Sequence, residues 1–386
     1  MLRVGVGLSR ERDSARAAAE AAACALRSAE IDKADLLLVF ATTPHGPGFT
    51  RVTRTAAEVC ETRNVVGCSA AGVFAGEEEV EGGPAVAVLA LRGGVTVRRF
   101  FVPITRERAE LAAEEIATAV GEVNGPDPLL LLFADSYHLE PEPLFRQLAQ
   151  LLPKVRAVGG GASEDGSVGQ VSVFSGDTAS SGAVAGALIE GDVSATVGVA
   201  HAVRRVSPVH TVTKVQGNWA LELDGRPAYE KFAAVVPAPL LEDPRRALAV
   251  VLAGLPVSDD DFVSRHLVGL DVQHGAVAVA SHLAVGQELF FGVRDPSGAR
   301  DDLQRVLARQ SAAWSARPAA GALYINCVGR GRSFYGLPGL DTAYIRQQLG
   351  PLPVAGFFSG AEFAPGAGVS QLHQYTGVLA MLGSGT

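Results

Sequence analysis

The chain has 386 residues, 48% of them hydrophobic and 19% charged. It is long for one core, comfortable for two domains, and too apolar to be disordered. A net charge of -8, with its 33 basic residues scattered along the chain, argues against nucleic acid or membrane insertion as the main business.

The four cysteines, Cys24, Cys60, Cys68 and Cys327, form no CxxC and no framework of short spacings, which fits a reduced, cytoplasmic setting. The N-terminal stretch lacks the continuous apolar core of a signal peptide, and no run reaches the ~18 apolar residues of a spanning helix.

In chain order, Arg3 to Leu8 reads as a strand and Glu11 to Ala29 as a helix with an alanine face. Leu36 to Thr42 is apolar throughout, as a strand covered on both sides would be. Thr50 to Thr62 is helical. Val86 to Leu91 and Val95 to Phe101 read as hairpin strands joined at Gly93-Gly94. A helix over Arg106 to Val120, a turn at Asn124-Gly125-Pro126 and strands over Ala183 to Ile189 and Ser194 to Ala200 follow. Ala220 to Leu223 is closed by the Asp224-Gly225 turn. A proline-punctuated segment leads to strands around Leu267 to Val272, Val277 to Ser281 and Glu288 to Val293, then a helix over Asp301 to Trp314.

Three stretches read as copies of one unit: a buried strand, a loop, a helix, and a second strand running into a glycine loop. They begin at Leu36, Leu129 and Leu323 and reach their glycines at Gly67, Gly159 and Gly356, spacings of 31, 30 and 33 residues. The repeat is interrupted between His201 and Ala228. The expectation is an α/β protein whose mostly buried sheets are flanked by helices, in two domains, 1–215 and 216–386.

The strings VVGCSAAG, RAVGGGASEDG, SGAVAGALIEG, NCVGRGRSFYG, GFFSGAEFAP and QLHQYTGVLAML, in that order, resemble the FIST sensory proteins, with their N-terminal and C-terminal FIST domains. The resemblance covers nearly the whole chain. It implies a signal-transduction module that binds small molecules such as amino acids, often fused in bacteria to a signalling output. No output domain is seen here, so a separate output protein is the expected partner. Val73 stands where the family usually has an acidic residue. Some relatives are described as haem-binding, which would need only one placed histidine. No cofactor is predicted, and the eight histidines show no zinc spacing.

The candidate ligand-binding residues are Arg330, Arg332, Glu362, Cys327, Asp135, Ser69 and Ser163. Arg330 and Arg332 sit in a glycine-punctuated loop after a buried strand, where a guanidinium can grip a carboxylate. Glu362 in the partner loop would take an ammonium group, so the set suits a zwitterion; alternatively Arg330 and Glu362 pair with each other. Asp135 follows the first strand of the second unit, where ligand crevices form in α/β sheets. Ser69 and Ser163 lie in the glycine loops. His45 and His138 read as surface-loop residues.

Two other readings stand beside the sensor. One is an enzyme using Cys327 as nucleophile or an Asp135/Glu362 acid/base pair; the other is a protein-interaction scaffold. A serine hydrolase is disfavoured because Ala71 stands where the nucleophile elbow needs glycine. Gly5-x-Gly7 without a third glycine gives nucleotide binding little support. The acidic run Glu77 to Glu81 reads as a solvated loop.

Overall fold

The computed structural model describes residues 1–258, 261–366 and 368–385. The chain forms two compact units. One comprises Met1–Ala200, Leu303–Leu372 and Thr376–Thr386; the other comprises His201–Asp302 and His373–Tyr375. The interruption of the repeat at His201 falls where the smaller unit begins.

The larger unit holds three six-stranded sheets of one plan. In each, a central parallel pair is flanked by an antiparallel strand. The pairs are Leu36–Thr42 with Val65–Ala70, Leu129–Ala134 with Arg156–Gly161, and Gly321–Cys327 with Val354–Ser359. The flanking strands are Val86–Arg92, Ala183–Gly191 and Thr376–Gly383. These are the three copies expected from sequence.

Each sheet is completed by strands that follow another copy's second strand. Gly72–Ala75 and Glu78–Glu81, which follow the first copy, close the third sheet. Val173–Ser175 and Thr178–Ser180, from the second copy, close the first sheet. Glu362–Pro365, from the third copy, pairs into the second sheet. The exchange is cyclic, so each copy's sheet is completed by strands from one other copy. Edge strands left open by one copy are covered by the next.

The register aligns the copies residue by residue. Gly67, Gly159 and Gly356 face Val39, Leu132 and Tyr324 across the parallel pairs, and on the other side face Phe174, Phe363 and Phe74 of the donated strands. A Cβ at these glycines would lie 1.8, 1.7 and 1.7 Å from the Val39, Leu132 and Tyr324 carbonyl oxygens. Glycine is required at all three, which explains why the second strand of every copy carries one there.

The sheets share a core in which Phe40, Phe133 and Phe357 form an aromatic triangle with ring centroids 4.6 to 5.9 Å apart. The helix Ser14–Ala29 is capped by Asp13, whose carboxylate accepts from the Arg16 N–H, and buries its alanines. Gly5 and Gly7 let that helix close on the first strand, since a Cβ on Gly5 would lie 2.1 Å from the Ala25 carbonyl oxygen.

Three sequence expectations are corrected here. Val86–Arg92 and Val95–Pro103 are strands but not a hairpin: they belong to the first and second sheets. Gly93 and Gly94, at φ 132° and 61°, carry the chain between sheets. The acidic run is not a solvated loop, because Glu78–Glu81 is a strand whose glutamates bind loops of the third copy. Glu81 accepts from the Arg332 N–H at 2.7 Å and Glu79 from the Gly339 N–H at 2.6 Å. His45 is buried beneath a 3-10 turn, Thr43–Gly48, with Nδ1 3.1 Å from the Ser14 hydroxyl.

The smaller unit contains a closed barrel. Its strands run Glu288–Arg294, His210–Gln216, Trp219–Leu223, Ala276–Val279, Asp261–Asp271 and Val251–Ser258, and the last pairs back to the first. Val212, Leu223, Phe232, Val263, Leu267 and Phe291 are part of its buried core.

Candidate functional site

Of the residues singled out from sequence, Arg330 is fully buried and already neutralised. Its Nε lies 3.1 Å from Asp341 Oδ2, and its guanidinium also donates to the Ala200 carbonyl at 3.2 Å. Tyr324 donates to the same Asp341 oxygen at 2.9 Å. Burial alone would push Arg330 towards neutrality, but the Asp341 charge outweighs it and holds the guanidinium above its ordinary value. Arg330 is thus ion-paired to Asp341 rather than to Glu362. Arg332 is exposed.

Asp135 is buried and closes its own loop. It accepts from the Gly182 N–H at 2.8 Å, the Tyr137 N–H at 3.0 Å, and lies 2.9 Å from His138 Nδ1. Ser69 and Ser163 stitch the copies together: the Ser69 hydroxyl donates to the Ser163 carbonyl at 3.1 Å, and Ser163 donates to the Phe358 carbonyl and accepts from the Ala71 N–H.

The alignment of copies singles out Cys327 and Glu362. At the position of Cys327, at the end of the first strand, the other copies have Thr42 and Asp135, and each bonds the segment leading into its copy's antiparallel strand. At the position of Glu362, the other donated strands have Val73 and Val173. A carboxyl group therefore replaces a buried valine. Glu362 is itself fully buried, and its Oε2 accepts from the Thr376 N–H at 3.2 Å and hydroxyl at 2.9 Å. The two departures meet, because the Cys327 side chain is close enough to act on the Glu362 carboxyl and lower its proton affinity. Burial pushes the Glu362 carboxyl up to about 8, against the opposing pull of Thr376, Cys327 and Arg330. Glu362 Oε1 has no hydrogen-bond partner among the described residues.

A second feature lies in the first copy. A cavity of about 480 Å³ is lined by Thr43, Gly46, Pro47, Phe49, Ser69, Glu164, Val168, Gln170, Ser172, Ala179, Ser180 and Ser181. Its size is that of a small-molecule pocket. Hydroxyl and amide groups alternate with Phe49, Pro47 and Val168, and Glu164 is its one charged residue. The register explains why it is open here: Ser69 occupies the position that Phe358 fills in the third copy. Sequence reading caught Ser69 but missed Glu164, Gln170 and the serines of the donated hairpin, since only the fold carries that hairpin to the first sheet.

The chain matches the FIST N domain over residues 35–226 and the FIST C domain over residues 228–365. It belongs to the FIST family, whose domains are generally sensory and signalling domains. An uncharacterized protein of Mycobacterium tuberculosis is 30% identical over 387 residues, covering 98% of this chain and 99% of the relative. One of Mycobacterium bovis is 30% identical over 391 residues, covering 98% of each. Among solved structures, a cyanuric acid hydrolase from A. caulinodans aligns over 100% of both chains with 8% identity and a TM-score of 0.39. Among the described residues no helix is long and apolar enough to cross a membrane.

Proposed function

We propose that this chain senses a small amine-bearing metabolite, an amino acid or a relative of one, in the cavity of the first copy, and passes the signal to a separate output protein. The observation that carries this reading is the lining itself. It is rich in hydroxyls, and its one charge is the carboxylate of Glu164, which favours an ammonium group. Thr43 and Ser172 supply neutral donors for the rest of the ligand, and Phe49 and Val168 an apolar wall. The carboxylate clamp assigned to Arg330 from sequence is not part of this reading, because Asp341 occupies that guanidinium.

A thermal-shift screen of amino acids and amines against deaminated analogues tests it. A ligand at a hundred times its dissociation constant adds ~2.7 kcal/mol, and the amines should shift the melting temperature while their deaminated analogues do not. Equal shifts, or none, would remove the reading.

A second reading, an enzyme with Cys327 as nucleophile, is favoured by the meeting of Cys327 and Glu362 at the two departures from the repeat. With its carboxyl raised to about 8, Glu362 at neutral pH is chiefly a proton donor, which suits acid rather than base chemistry. A thiol-reactivity profile in which Cys327 is no faster than Cys24 would eliminate it.

A further inference from the structure

On the outside of the barrel in the smaller unit, a groove of about 660 Å³ is lined by Trp219, Lys214, Gln216, Glu222, Asp271 and His274, with Pro227 and Leu221 completing its apolar surface. The strand Trp219–Leu223 turns Ala220 and Leu223 into the barrel core, which leaves Trp219 and Leu221 outside. Trp219 lies in register with Ala278, which is in register with Gly269 on the next strand. A Cβ on Gly269 would lie 2.8 Å from the outer carbon of the indole. The ring is therefore laid flat across the sheet, and the glycine keeps it down.

Each carboxylate beside this ring has a partner within the protein. Lys214 Nζ lies 3.6 Å from Glu222 Oε1, and His274 Nδ1 lies 2.8 Å from Asp271 Oδ2, with the His274 N–H also donating to Asp271 at 2.9 Å. What remains for a ligand is an aromatic face, the Trp219 indole N–H, the Gln216 amide and carboxylate lone pairs. Trp314 by contrast donates its indole N–H to Thr196 at 2.6 Å, whereas among the described residues Trp219 makes no such bond.

A flat aromatic surface ringed by planar amide and carboxylate groups matches a molecule with an apolar C–H face and a rim of hydroxyls. The face lies on the indole, and the hydroxyls donate to Glu222, Asp271 and the Gln216 carbonyl while accepting from the indole and amide N–H groups. We infer that this groove binds a neutral saccharide through Trp219, Gln216, Glu222 and Asp271. The groove shares no lining residue with the cavity of the first copy, so the two readings stand or fall independently.

The test is titration of the full chain with maltose, cellobiose, trehalose and diacetylchitobiose, with glucose 6-phosphate and spermidine as charged probes. Saturation-transfer NMR reads binding, and indole fluorescence in a Trp314→Phe background reads Trp219 alone. At least one neutral saccharide should bind and change the Trp219 emission. Trp219→Ala should weaken it by about tenfold or more, and Trp219→Phe by less, while Ser69→Phe, which alters the other cavity, leaves it unchanged. The Trp219→Phe variant keeps the test decisive if the alanine variant fails to fold. No binding at tens of millimolar saccharide, binding that survives loss of the indole, or binding of the charged probes alone would overturn the inference.

Discussion

The Cys327 side chain acts directly on the carboxyl of Glu362, lowering its proton affinity, and each of these residues replaces a different type at the same position of the other two copies. Glu362 stands for Val73 and Val173, Cys327 for Thr42 and Asp135. A carboxyl in a valine position has a measurable consequence. Its proton is held up to about 8, against an ordinary value of 4.5, so the folded chain binds that proton more tightly than the unfolded chain. The associated stability is fully present below about 4.5 and is lost as pH rises through about 8. Relative to Glu362→Gln, the natural protein should therefore lose on the order of a few kcal/mol between those values. Denaturant titrations of both forms at pH 5, 7 and 9 check this, and parallel stability profiles would contradict it.

The buried pair of Arg330 and Asp341 makes a different prediction. Both side chains are almost wholly hidden. Arg330→Ala leaves the Asp341 charge without its guanidinium and should cost ~3–5 kcal/mol. Replacing both partners by apolar residues, as in Arg330→Met with Asp341→Leu, should recover most of that loss. Chemical unfolding of the single and double variants decides it. A near-neutral single variant would mean that Arg330 is held by something other than Asp341.

The register glycines can be tested without any ligand. Gly159→Ala places a Cβ 1.7 Å from the Leu132 carbonyl, whereas Gly217 has nothing near its virtual Cβ and only its φ of +60° to resist substitution. Gly159→Ala should abolish the folded state, while Gly217→Ala should cost only ~1 kcal/mol. Circular dichroism and melting curves of the two variants suffice.

The three copies and their glycines were legible in the sequence because a parallel strand buried on both faces is written as an unbroken apolar run, and because backbone contact leaves no residue but glycine. The exchange of strands was not. Gly72–Ala75, Val173–Ser175 and Glu362–Pro365 are three or four residues long, too short for periodicity, and their partners lie far away in the chain. For that reason Glu77 to Glu81 looked like a solvated loop, and Gly93-Gly94 like a hairpin turn. The partner of Arg330 was hidden similarly, since Asp341 sits at the start of a helix, Leu340–Leu349, that nothing in the arginine loop announces. Ser69 was visible as a loop serine, but its cavity was not, because Ala179, Ser180 and Ser181 reach it only through the donated hairpin.

The most direct measurement of the central claim is the thermal shift produced by an amine metabolite in the natural protein and in two variants that fill the cavity from opposite walls. Ser69→Phe introduces the side chain that the third copy carries at Phe358, and Ala179→Trp fills from the donated strand. The natural protein should show a shift, and both folded variants should lose it. A shift retained at full size in either variant would place the ligand elsewhere and contradict it.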